Sequence, residues 1–169
     1  MVTIAFALWA LRPALAVPGR HDAIGAWLVA LSLPGLNNLS DAFFRLDCRA
    51  ADAGCTAAQA AASWHGTVHV VVAAVAGVAT VAAPFALAHR FRLLEGWRDL
   101  AWPARVFGVV VVLGVLAYVA LENTSAPGWA QRALAMWVVS GIVVLAWRVR
   151  ALAAEVGAEP VAIPEPVQP

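Results

Sequence analysis

The stretch "SWHGTVHVVVAAVAGVATVAAPFALAH", residues 63–89, decides the fold. From Val70 to Ala88 it carries no charged side chain, and it opens with His65 and His69, one helical turn apart. An apolar run of this length reads as a transmembrane helix. Ser63 is a natural N-cap for it, because its hydroxyl can accept a bond from one of the orphan amides of the first turn. Pro84 is expected to bend its far end.

Composition extends that reading to the whole chain. Of 169 residues, 63% are hydrophobic and only 12% charged, and the mean hydropathy is +0.80. The charged fraction is about half that of a soluble domain, too little to cover a water-facing surface. A net charge of +1 gives no basic stripe for nucleic acid, so no nucleic-acid partner is expected. The N-terminus contains the small-x-small triplet Ala14-Leu15-Ala16 but no basic region before it. A cleaved signal is therefore not expected.

Five apolar blocks predict an all-α integral membrane bundle over residues 1–150, with spans at about 2–18, 23–44, 64–89, 102–122 and 128–149. Backbone groups in lipid must be satisfied internally, which helices achieve. The first block has eleven residues before Arg12, short for a span. Pro34-Gly35 predicts a kink or break in the second. Residues 151–169, with four prolines and three glutamates, read as a disordered tail. Trp64, Trp102, Trp129 and Trp147 stand at block ends, as interfacial aromatics do. Gly108, Gly114 and Ser140-Gly141 offer small surfaces for close helix contact.

Arginine placement sets orientation. Arg12, Arg20, Arg90, Arg92, Arg98, Arg105, Arg148 and Arg150 fall on one side, against Arg45, Arg49 and Arg132 on the other. The positive-inside rule puts the first set and the C-terminus in the cytoplasm of a cell-membrane protein, and loop 45–62 outside. Cys48 and Cys55 lie in that loop, where an oxidising compartment and proximity favour a disulfide over two free thiols. Closing so short a loop contributes about 2.5 kcal/mol in the loop-entropy model.

The polar residues gather toward the outer side. Asn37, Asn38 and Asp41 lie in the outer half of the second block, His65 and His69 open the third, Glu122 closes the fourth, and Gln131 and Arg132 open the fifth. Polar side chains at membrane depth usually face a bundle interior or a wet cavity, so an outward-facing polar pocket is expected, with hydrophobic packing beneath. Glu122 and Arg132 could pair across their hairpin. His65 and His69 share a face, and with Asp41 as third ligand a zinc site with an open position is chemically conceivable. Structural hydrogen bonding is the blander reading of both rings. No cofactor is otherwise expected.

In order along the chain, "FFRLDC" (43–48), "WHGTVH" (64–69), "RFRLLEGWRDLA" (90–101) and "APGWAQRALAMW" (126–137) resemble the bacterial and archaeal membrane proteins grouped as domain of unknown function 998. The resemblance covers most of residues 5–150. It implies a six-helix bundle, of which this chain would lack the first helix. It also implies an aspartate after an early span (Asp47), a histidine-bearing start to the next (His65 and His69), and a Gly-x-x-Gln-Arg-like motif opening the last (Gly128, Gln131, Arg132).

The leading functional reading is a membrane protein that binds or moves a lipid or small polar ligand through Asn37, Asp41, Asp47, His65, His69, Glu122, Gln131 and Arg132. A metal-assisted membrane hydrolase, with His65, His69 and Asp41 or Asp47 as ligands, is the enzymatic alternative and is not favoured. A structural subunit is the third. Membrane lipids are the expected partners, and homo- or hetero-oligomers are compatible with the sequence.

Overall fold

A computed structural model describes residues 24–48, 53–121 and 127–158. All regular structure among these residues is helical: α1 (Ile24–Leu31), a π-helical segment (Leu33–Asn37), α2 (Asn38–Ser40), α3 (Ala57–Ala60), α4 (Trp64–Phe91), a 3-10 turn (Arg98–Leu100), α5 (Ala101–Leu121) and α6 (Pro127–Ala158). The first expected span and the 122–126 hairpin lie outside the described residues. Three described helices are long and apolar enough to cross a membrane: Trp64–Phe91, Arg98–Leu121 and Gly128–Leu152.

The quoted stretch is one continuous helix. The Ser63 hydroxyl accepts from the Gly66 amide at 3.1 Å, the expected cap. The helix continues through Pro84, although a proline cannot donate to the carbonyl one turn back. Packing on both sides of Pro84 supports the helix there: Ala83, Leu87, Ala88 and Phe91 are all buried.

The second block is interrupted where Pro34-Gly35 predicts. Its break is not a simple kink: α1 passes into the π-helical segment containing both residues, then into the single turn of α2. A wider turn accommodates a residue that has no amide hydrogen to give. The last block departs from expectation at its end, because α6 runs to Ala158, past the boundary drawn at 150. Ala151, Leu152 and Ala153 extend the helical pattern, and Leu152 packs on the core.

The packed centre lies nearer the Arg98 end of the bundle. Val29 of α1, Ala83, Leu87 and Phe91 of α4, Leu94 and Trp97 of the connection, Ala101 of α5 and Leu145 of α6 form one cluster. Phe91 and Trp97 stack there at 5.0 Å between ring centroids. A second cluster joins Val111 of α5 to Leu134 and Val138 of α6. The glycines expected at close contacts do receive large neighbours: a Cβ on Gly108 would meet Phe85, and one on Gly141 would meet Phe107. Outward faces are strongly apolar, with Val78 71% and Met136 75% exposed. Trp64, Trp102, Trp129 and Trp147 are all exposed, as expected of block-end aromatics.

Candidate functional site: a polar fastening and an apolar cavity

The polar residues at the Ser63 end form two separate assemblies. The first closes the loop before α4. Cys48 and Cys55 are disulfide-bonded, with their Cα atoms 6.0 Å apart. Thr56 and Gln59 form a reciprocal capping box that starts α3. The Asp47 amide donates to the Ala60 carbonyl at 3.1 Å, and the Asp47 carboxylate accepts from the Ser63 amide at 2.7 Å. That amide bond, then the Ser63 side chain and more weakly the charge of His65, holds the Asp47 carboxyl below its ordinary value of 3.8. Hydrogen bonds to the charged form have that effect. Gly66 allows the close approach: a Cβ there would lie 2.5 Å from the Ala60 carbonyl oxygen and 2.6 Å from the Asp47 carboxylate.

The second assembly ties α4 to the end of the broken helix. Nδ1 of His69 lies 3.0 Å from the Phe44 carbonyl oxygen and 3.4 Å from Asp41 Oδ1. A carbonyl only accepts, so Nδ1 carries the proton and Nε2 holds the lone pair when the ring is neutral. Asn37 Nδ2 donates to Asp41 Oδ2 at 3.0 Å, across four residues of the chain. Asn37 Oδ1 and Ser40 Oγ are buried without a hydrogen-bond partner among the described residues.

The two histidines therefore part company. His65 lies against the Trp64 ring at 3.6 Å, with Phe44 beyond at 6.4 Å, while His69 turns to Asp41 and Phe44. The trio considered for zinc, His65, His69 and Asp41, is not assembled as a metal centre. No group of three metal-capable side chains comes together among the described residues. His69 turns its Nδ1 to Phe44 and Asp41, whereas His65 lies against the ring of its neighbour Trp64. Asp47, a candidate ligand by sequence, accepts the backbone amide of Ser63. Gln131 and Arg132 are exposed at the start of α6, and Arg132 lies over the Trp129 ring at 5.9 Å. Glu122 and its pairing with Arg132 lie outside the described residues.

A concavity lies elsewhere, where the sequence predicts hydrophobic packing beneath the polar end. A cavity of about 450 Å³ lies between α1, α4, α5 and α6. Its wall runs along α4 from Thr80 to Phe91, along α5 from Pro103 to Phe107, and along α6 from Trp137 to Leu145. Three hydroxyls border it, and each is turned back onto its own helix: Ser32 to Val29 O, Thr80 to Ala76 O at 2.7 Å, and Ser140 to Trp137 O at 2.6 Å. With those donors engaged, the wall presents mainly hydrocarbon. Small residues on facing helices, Ala83, Ala104 and Gly141, were the available sequence signal. Small residues also mark tight helix contacts, so type alone does not separate a void from a contact.

At the Arg98 end, Arg148 closes the connection before α5. Its Nε donates to the Gly96 carbonyl at 2.7 Å, and its NH2 reaches both that carbonyl and Asp99, the latter at 3.0 Å. Gly96 adopts φ +75°, a left-handed turn that glycine takes at no steric cost.

No curated protein and no solved structure matches the chain. Residues 1–148 match the family described as Protein of unknown function (DUF998). With that match spanning most of its length, the chain belongs to the DUF998 family.

Proposed function

We propose that this is a multi-pass membrane protein that binds a lipid-like ligand by its hydrocarbon tail, within the helical bundle. The observation that carries this reading is the cavity: about 450 Å³, bordered by hydroxyls that already bond their own helices. A concave apolar site of several hundred Å³ is the ordinary form of a small-ligand pocket. The length and hydropathy of α4, α5 and α6 support membrane insertion. The 2–18 and 23–44 blocks would complete five spans. The arginine distribution supports a cytoplasmic Arg98 end and an extracytoplasmic disulfide loop.

On this reading the polar cluster at the Ser63 end fastens helices. Every strong contact it makes is to a backbone group or to a side chain of the same cluster, as His69 to Phe44 O and Asp47 to Ser63 N show. A metal-assisted hydrolase draws no support from that geometry.

The test is occlusion. Ala104 lines the cavity, whereas Ala117 is exposed on the same helix. Ala104→Phe should lower retention of a photoactivatable fatty acid by the purified chain about tenfold, equivalent to ~1.4 kcal/mol, while Ala117→Phe leaves it unchanged. Equal retention by both variants would remove the cavity as the binding site.

A further inference from the structure

Resting on that reading, we infer that the occupant is an anionic phospholipid drawn from the arginine-bearing leaflet, its tail in the cavity and its head group among Arg92, Arg98 and Arg105. Two independent features of the molecule converge on it.

The first is length. Along α4 the cavity wall extends from Thr80, near the helix midpoint, to Phe91 at the helix end. The eleven steps between them rise about 16 Å at 1.5 Å each. One leaflet contributes about 15 Å, half of the ~30 Å hydrocarbon core. The wall on α5, Pro103 to Phe107, starts from the same end. Along α4 and α5 the cavity therefore matches a single leaflet's tail in depth, and on α6 its wall, Trp137 to Leu145, reaches mid-span.

The second is charge. The wall residues at this end are bracketed in sequence by cations: Arg90 and Arg92 around Phe91, Arg98 before Leu100, and Arg105 after Ala104. Arg92, Arg98 and Arg105 are exposed. The two acids of the segment are Glu95 and Asp99, and Asp99 is already answered by Arg148. The end thus keeps a cationic excess at the depth where a phosphate head would lie. Basic residues at membrane level on the cytoplasmic side are suited to anionic head groups. Topology alone asks for basic residues on this side; it does not ask for a one-leaflet apolar cavity directly beneath them.

The experiment uses the full chain in detergent, incubated with equimolar phosphatidylglycerol and phosphatidylcholine of identical tails, and read by native mass spectrometry. Phosphatidylglycerol should be retained about tenfold over phosphatidylcholine, ~1.4 kcal/mol. The preference should fall in the Arg92→Gln, Arg98→Gln, Arg105→Gln triple variant, and persist in Arg132→Gln at the opposite end. Ala104→Phe should lower retention of both lipids about tenfold. If both are retained equally but Ala104→Phe still releases them, the head-group inference is wrong and the cavity reading stands. If Ala104→Phe releases neither, both readings fail, since the lipid is then only annular. Competition by millimolar inorganic phosphate would point to a free anion and overturn the proposal. Should the triple variant not fold, the wild-type preference must still weaken between low and high salt; an unchanged ratio overturns the inference as well.

Discussion

Asp47 and Gly66 show how one loop position is held by its chemistry. The Asp47 carboxylate takes the Ser63 amide at 2.7 Å, at the end of α4 where the helix dipole is positive and a negative charge is favoured. Its folded pKa is lowered, so its contribution is complete at neutral pH. It is lost only as pH falls below the usual carboxylate range, through the folded value. Hydrogen exchange at the Ser63 amide checks this. The wild type should stay protected down to that range, whereas Asp47→Asn should exchange faster already at neutral pH. Gly66→Ala tests the same contact sterically. Its methyl would meet a backbone oxygen at 2.5 Å, so the loop must move. Overpacking of this kind costs about 1–3 kcal/mol, which a lowered thermal midpoint would register. The sequence placed Asp47 beside His65 as a candidate ligand. Its acidic character was legible, but its partner was not, because a backbone amide has no residue-type signature.

The helices repeat that pattern at the next scale. Ser63 as cap, Pro34-Gly35 as interruption and the glycines of α5 and α6 as contact points were all readable, since each follows from a side chain's local stereochemistry. The width of the interruption was not, because a π turn and a kink answer the same missing amide. His69 joins two elements through the Phe44 carbonyl, and His69→Leu removes that donor. The expected cost is about 1 kcal/mol, with faster exchange at the Phe43 and Phe44 amides. His69→Gln, which keeps a donor, should recover part of it. At the α5–α6 contact, a Cβ on Gly141 would approach the Phe107 ring to 2.7 Å. Phe107 itself stacks on Trp137 at 5.2 Å, and its ring can give way only by leaving that stack for the cavity it borders. Gly141→Ala should therefore lower the unfolding midpoint, while alanine at exposed Ser140 should not.

For the whole molecule, sidedness unites the fastening and the cavity, and it can be measured directly. The Cys48–Cys55 disulfide stands at one end of α4, and the arginine-rich connection at the other. On the proposed orientation, argued from the arginine distribution, the disulfide stands outside. A membrane-impermeant maleimide applied to intact cells should then leave the chain unlabelled, and label both cysteines after an impermeant reductant. A cysteine substituted for Glu95, exposed in the opposite connection, should react only after the cells are opened. Labelling of the Glu95→Cys variant from outside would invert the bundle. The one-leaflet cavity would then face the outer leaflet, and an anionic lipid of the cytoplasmic leaflet could not enter it from its own side. Loop labelling and lipid selectivity are thus coupled readouts of the proposed arrangement: the arginine-rich connection at one end of α4, the disulfide and the histidines at the other.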